Sequence, residues 1–389
     1  MKFLKDIPGN VKALGFVSLF NDTASEMIYP LLPIFLTSVL GVGAEVLGII
    51  EGIAETTASL LKLFTGWISD RLRRRKFLVV IGYCLAGFGR PIIALTRYWW
   101  QVAIIRFIDR LGKGIRTSPR DALISHSTPE NIRGKAFGFH RAMDHSGAIF
   151  GPIIAMLLLK FGMSLRNIFL WAFLPGIITV IILLSLVKEK KIISKLEKRE
   201  FRFSVLSKNF KNYLLVIVLF TLGNSSDAFL ILKAKEVGIT IALIPLLWVV
   251  LHTVKMATSM PGGIWSDKIG RRRVIVLGWL IYALIYLGFG FSKNIWHIWL
   301  LFALYGIYFG FTEGVEKAFV SDLVVPEFHG TAFGFYHLAV GIASFPASVI
   351  FGIIWQKISP TAAFEYGASL AGLASILLLC IIKEEGHKT

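Results

Sequence analysis

Apolar runs about twenty residues long, separated by short polar or basic breaks, cover almost the whole chain. FLVVIGYCLAGFG, IFLWAFLPGIITVIILLSLV, YLLVIVLFTLG and GASLAGLASILLLCII are cores of such runs, and a helix of about 20 apolar residues crosses the hydrocarbon of a bilayer. Reading runs against breaks predicts twelve helices, over 11–40, 46–69, 77–96, 98–125, 136–159, 167–187, 212–232, 240–265, 274–292, 296–322, 331–356 and 362–382. The expected fold class is an all-α integral membrane protein.

Composition agrees and charge adds orientation. The 389 residues are 55% hydrophobic and 17% charged, against roughly 25% charged in soluble domains. The net charge of +18 would suit a nucleic-acid partner, but its distribution follows membrane topology instead. An even number of crossings puts both termini on one side. With that side cytoplasmic, the inward segments hold 25 Lys and Arg and the outward ones seven. Positive residues favour the cytoplasmic face, so a multi-pass protein of the cytoplasmic (inner) membrane, both termini inside, is expected, with the lipid bilayer and no nucleic acid as partner. MKFLKDIPGN is too short and wrongly ordered for a cleaved signal peptide. Cys84 and Cys380 lie inside apolar runs and are expected as small buried core residues.

The chain repeats itself. GWISDRLRRRK at 66–76 returns as GIWSDKIGRRR at 263–273, an offset of 197, and RGKAFGFH at 133–140 returns as HGTAFGFY at 329–336, an offset of 196. The expected organisation is an N-terminal six-helix bundle (1–187), a charged cytoplasmic linker (188–211) and a C-terminal six-helix bundle (212–389). A duplicated six-plus-six chain is the plan of secondary transporters, which bind substrate near mid-membrane.

Charges within the spans are costly unless paired or wet. In RFIDRLGKGIRTSPRDALISH, Asp109, Lys113, Arg116 and Arg120 share one helical face, and Gly112, Gly114 and Pro119 permit a local distortion. Candidate partners are Asp22 and Glu26, Glu51 and Glu55, Asp227, and Glu313, Glu316 and Lys317. Mutual neutralisation accounts for most of them. Transport additionally requires a few charges that change partner, and Asp22 and Glu26 are the expected proton carriers, with Arg116 and Arg120 as partners for a substrate anion or for coupling. His140 and Asp144 sit one turn apart and are read as a structural pair near cations rather than a metal site; His252 with Lys255, and His337, are read alike. YWW at 98–100 and NIWHIWL at 294–300 read as interfacial belts. No metal and no cofactor are expected.

In the 66–76 repeat most basic residues serve as topology anchors, among them Arg73, Arg74 and Lys76. Anchoring needs no acid, however. Asp70, where one helix ends and the next begins, is placed to be held by helix N-termini and neighbouring Arg, as a clasp at the cytoplasmic gate.

These motifs resemble the major facilitator superfamily over essentially the whole chain. Gly66-x-x-x-Asp70-Arg71-x-x-Arg74-Arg75-Lys76 is similar to its loop 2–3 signature, with Arg73 where a glycine is usual, and Gly263-x-x-x-Asp267-Lys268-x-Gly270-Arg271-Arg272-Arg273 is the second copy. Arg110-Leu-Gly-Lys113-Gly114 resembles R-x-x-Q-G with Lys for Gln. Gly147-x-x-x-Gly151-Pro152-x-x-Ala155 resembles the antiporter motif without its last glycine. The resemblance implies twelve transmembrane helices in two pseudo-symmetric six-helix bundles, and a gating role for Gly66, Asp70, Arg71, Arg75, Gly263, Asp267 and Arg271. It implies a secondary-active transporter, a monomer working by alternating access on a small-molecule substrate. With the charges above, the expected activity is H+-coupled export of a small anionic or charged solute. The alternative is H+ symport of an organic anion or a metal chelate such as a carboxylate siderophore. A membrane-embedded enzyme using His140 and Asp144 is the remote alternative; the chain is not expected to be an enzyme.

Overall fold

The computed structural model describes residues 6–29, 31–32, 35–41, 61–62, 64–71, 74–189, 206–225, 227–239 and 243–382. The predicted 46–69 helix is described only from 61, and Glu51, Glu55, Arg73 and most of the predicted linker lie outside the described residues. The helices are α1 Gly9–Glu26, α2 Arg75–Ile92, α3 Trp99–Ser127, α4 Arg133–Lys160, α5 Leu165–Trp171, α6 Phe173–Leu186, α7 Lys208–Gly223, α8 Ala228–Glu236, α9 Ile244–Ile269, α10 Arg271–Phe291, α11 Ile295–Asp322, α12 His329–Lys357 and α13 Pro360–Ile381. A helical stretch over 64–71 precedes α2. Among the described residues, seven helical segments are long and apolar enough to cross a membrane.

Three predicted spans are not single regular helices. The first stops as a regular helix at Glu26, is followed by a turn at 27–29, and is π-helical at Phe35–Val39. The sixth is jointed at Ala172, between α5 and α6. The seventh breaks after Gly223, where Asn224 turns extended, and resumes as α8. Its break lies at GNSSD, where Asn224, Ser225 and Asp227 meet the hydroxyls of Tyr282, Tyr286 and Tyr305. Conversely, the 98–125 span does not take the distortion that its glycines and proline permit: α3 runs as one helix through Gly112, Gly114 and Pro119. Gly112 serves close packing instead, because a Cβ there would lie 2.6 Å from the Gly82 carbonyl oxygen of α2. Small residues that let backbones meet are the usual device between membrane helices.

Two compact units emerge: Met1–Pro129, Phe139–Phe201 and Pro326–His337 in one, Glu130–Gly138, Arg202–Val325 and Leu338–Thr389 in the other. In the first, α2 packs on α3 at Gly82 and Gly112 and on α6 at Gly87 and Gly176. In the second, α7 meets α13 at Gly223 and Gly367, and α9 meets α11 at Gly262 and Gly310. Gly270, at φ +98°, lets α9 stop and α10 start at the next residue, a conformation that favours glycine. At the corresponding corner of the first unit, Arg74 precedes α2 at φ −122°. There the Glu189 carboxylate accepts the Arg75 and Lys76 N–H groups at 3.1 and 2.7 Å. Burial pushes this carboxyl up, and the two N–H groups pull it back.

The cysteines differ from expectation: Cys84 is half-buried and Cys380 exposed. Lipid tails are as apolar as a protein core, so an apolar run does not reveal which of its faces turns inward.

Candidate functional site

The repeated motif builds one clasp in each unit. In the first, Asp70 ends the 64–71 stretch with its side chain 2% exposed. Its carboxylate accepts the Gly330 and Thr331 N–H groups at 3.1 and 2.7 Å, the Thr331 hydroxyl at 2.8 Å and Arg75 Nη2 at 2.6 Å. These N–H groups open α12, where unsatisfied donors and the helix dipole favour an anion. In the second unit, Asp267 accepts the Gly134 and Lys135 N–H groups, which open α4, at 2.9 and 2.8 Å, and pairs with Arg271. Gly66 and Gly263 are explained by the same contacts, since a Cβ on either would collide with the carbonyl of Gly330 or Gly134. Arg71, expected beside Asp70, instead lies with its guanidinium 5.5 Å from the Trp67 ring centre; Arg75 takes the acid.

The first unit also holds a buried ionic network. Asp109 accepts Arg90 Nε at 2.7 Å and the Tyr29 hydroxyl at 2.6 Å, with Arg106 and Arg110 at 3.5 and 3.7 Å. The Arg106 guanidinium caps the Tyr29 ring at 3.9 Å, and Arg90 also donates to the Asn21 carbonyl and side-chain oxygens at 3.0 and 3.1 Å. One to three turns along α3, Arg116 lies over Tyr83 at 4.6 Å and donates to the Gly82 carbonyl. Arg120 pairs with Asp121 at 3.0 Å, and Asp121 also meets His337 at 3.0 Å. Asp144 on α4 is held by Arg141 at 2.7 Å, by His140 at 3.7 Å and by the Ser18 hydroxyl.

Asp22 and Glu26 stand apart. Both are half-buried on α1, and among the described residues neither has a cation within the 4.0 Å of an ion pair. Asp22 accepts the Asn21 side-chain amide at 2.7 Å. Arg90, Arg106, Arg110 and Lys113 supply the attractive field at Glu26, and Arg90 and Arg116 that at Asp22. The Gly147–Gly151–Pro152 motif sits directly behind them. A Cβ on Gly147 would lie 2.9 Å from Asp22 Cβ, and one on Gly151 would lie 2.7 Å from Glu26 Cβ. The motif is thus where α4 seats against the two carboxylates of α1.

The second unit answers with aromatic rings. Tyr282, Tyr286, Tyr305 and Tyr308 are all buried and pack with ring centres 4.1 to 6.4 Å apart. The Tyr305 hydroxyl donates to Asp227 at 2.9 Å, and Tyr286 pairs with Ser225 at 3.1 Å. Glu316 accepts the Trp279 indole N–H at 2.9 Å. Glu313 is half-buried on α11, and Lys255 lies 3.4 Å from the Phe309 ring centre.

Sequence reasoning found Asp109, Arg120 and Asp144 but missed Tyr29, Tyr83 and Asp121, and counted Arg90 only as one more charge in a span. Asp121 was findable, because an acid beside Arg120 inside a span has few other uses. The tyrosines carry no such signal.

The sequence profile of the Major Facilitator Superfamily matches residues 14–251 and 213–389. An uncharacterized MFS-type transporter of Methanocaldococcus jannaschii is 40% identical over 386 residues, 97% of this chain and 96% of its own. The multidrug resistance protein MdtH of Salmonella arizonae is 22% identical over 81% of this chain and 78% of its own. Among solved structures, the human organic anion transporter MFSD10 superposes with a TM-score of 0.77 at 16% identity, covering 95% of this chain and 99% of its own. The proton:xylose symporter XylE superposes with 0.76 at 17% identity, covering 98% and 96%. These two likenesses establish the twelve-helix, two-bundle membrane fold. The family match and the full-length archaeal relative go further: the chain belongs to the major facilitator superfamily, and is a multi-pass secondary transporter of it.

Proposed function

We propose that this transporter exchanges protons for a small anionic solute, that it exports the solute, and that Asp22 and Glu26 carry the protons. One observation carries the reading. Asp109, Asp121 and Asp144 are each tied to a cation or imidazole, whereas Asp22 and Glu26 sit half-buried without one among the described residues. A carboxylate with no fixed cation can trade a proton for a passing charge. The anionic solute is supported by α3, which carries five cations (Arg106, Arg110, Lys113, Arg116 and Arg120) against two acids, Asp109 and Asp121. Export is supported by the Gly147–Pro152 packing behind the carboxylates and by the likeness to a multidrug resistance protein.

The excess of basic residues on one side supports placing the clasps, and both termini, in the cytoplasm. In this reading the Asp70 and Asp267 clasps hold the first turns of α12 and α4 and release them when the cytoplasmic side opens.

A ligand-stabilisation screen of the purified protein with organic anions, metal chelates and cationic drugs tests the solute class. Stabilisation by organic cations alone would overturn it. For the coupling, the stabilising anion is followed in proteoliposomes under an imposed pH gradient. Gradient-driven movement should vanish in D22N/E26Q while unlabelled-for-labelled exchange survives; a double variant that still responds to the gradient refutes the assignment.

A further inference from the structure

The two clasps differ in the side chains that flank them. In the second unit Arg133, the first residue of α4, donates to Asp322 at 2.8 Å, and Asp322 also accepts Arg271 Nε at 3.1 Å. At the offset of 196, Arg133 corresponds to His329 and Asp322 to His126. In the first unit these two imidazoles face each other, ring centres 5.0 Å apart and inclined at 61°. His126 Nε2 donates to the Pro326 carbonyl at 2.6 Å. His329 is fully buried and immediately precedes Gly330 and Thr331, whose N–H groups hold Asp70.

We infer that His126 and His329 make the Asp70 clasp sensitive to cytoplasmic pH, while the Asp267 clasp, flanked by Arg133 and Asp322, is not. Arg133 and Asp322 keep their charges across the physiological range; an imidazole ordinarily changes its charge near pH 6.5. One proton on the pair is compatible with the nearby Asp70 carboxylate. A second places like charges on two rings in contact, so the pair titrates in two steps and the second is disfavoured while the rings touch. Among the described residues, the charged or titratable groups near the pair include Arg75, already matched to Asp70, Glu327 in the turn before α12, and the His337–Asp121 pair two turns along α12. The sign follows. The second proton binds more weakly in the closed clasp than in the open one, so closure is full above the ordinary imidazole pKa and is lost as pH falls below it.

The inference rests on the reading that the Asp70 clasp opens. Spin labels at exposed Arg74 and Val325, in a C84S/C380S background in lipid nanodiscs, report the separation by electron–electron double resonance. In the otherwise wild-type chain, the ratio of long- to short-distance populations should rise up to about tenfold per pH unit below about 6.5, the limit for one linked proton. H126D/H329R, which installs the second unit's pair, should be flat from pH 8 to 5. H126N/H329Q should also be flat, and covers the chance that the swapped pair fails to fold. A wild-type distribution unchanged between pH 8 and 5, or histidine variants that respond as wild type does, overturns the inference. D70N separates the two levels. If it opens the clasp at pH 8 while the wild type ignores pH, only the histidine inference fails; if it leaves the distance short, the clasp reading fails.

Discussion

At the offset of 196, Arg90, Asp109 and Tyr29 of the first unit correspond to Tyr286, Tyr305 and Ser225 of the second. The contacts correspond as well. Arg90 meets Asp109 and the Tyr29 hydroxyl at 2.7 and 3.0 Å, whereas Tyr286 packs on Tyr305 at 6.4 Å between rings and meets Ser225 at 3.1 Å. Tyr83 with Arg120 likewise becomes Trp279 with Glu316, bonded at 3.4 and 2.9 Å. The same positions on the same helices touch in both units, but one builds the contact around a buried Arg–Asp pair and the other from hydroxyls and rings that donate to single carboxylates, Asp227 and Glu316. Burying ions costs several kcal/mol each before pairing returns it. The second unit shows that the contact made by Arg90 and Asp109 can be built from two tyrosines instead. The Arg90–Asp109 pair is therefore not a requirement of this helix contact.

The comparison breaks most visibly at its centre. D109N would strand the buried Arg90 beside Arg106 and Arg110, at a cost of about 3–5 kcal/mol, read as collapse of the thermal transition in detergent. Y305F, at the matching position, removes the hydrogen bond to the Asp227 carboxylate and should cost about 1.5–3 kcal/mol. Equal losses would mean that the two centres are energetically alike.

Glycine substitution probes packing rather than charge. A Cβ on Gly82 would lie 2.5 Å from a backbone oxygen and 2.6 Å from Arg116 Cβ, whereas one on Gly278 would press on the methyl of Thr312. G82A is expected to cost about 1–3 kcal/mol through overpacking. G278A, whose neighbour can rotate away, should cost less in the same thermal assay.

The smallest stability effect is expected where function is placed. D22N/E26Q keeps the packing volume and removes no ion pair seen among the described residues, so it should cost much less stability than D109N while abolishing proton-driven transport. A loss of 2 kcal/mol or more in thermal unfolding would make the pair structural.

Much of this was legible in the chain. Run lengths predicted the spans, and the 66–76 repeat predicted that an acid at a helix exit would be held by Arg and by helix N-termini, as Asp70 is. Arg71 and Arg75 were both placed in the motif, but which of them meets Asp70 was not legible, because spacing along the chain does not say which side chain turns toward the acid. Nor was the joint at Ala172 or the break at Asn224, since hydropathy sums over a window and does not see single dihedrals.

The sequence by itself determined the membrane class, the duplication and the chemical inventory, because a bilayer's thickness and the repeated motif act on linear spacing alone. Tertiary structure alone decided which charges meet. Asp70 finds N–H groups more than 250 residues away, and among the described residues Asp22 and Glu26 have no cation at ion-pair distance while Asp109 and Asp144 are paired. Pairing falls off within a few ångströms, and no spacing along the chain encodes a distance across it.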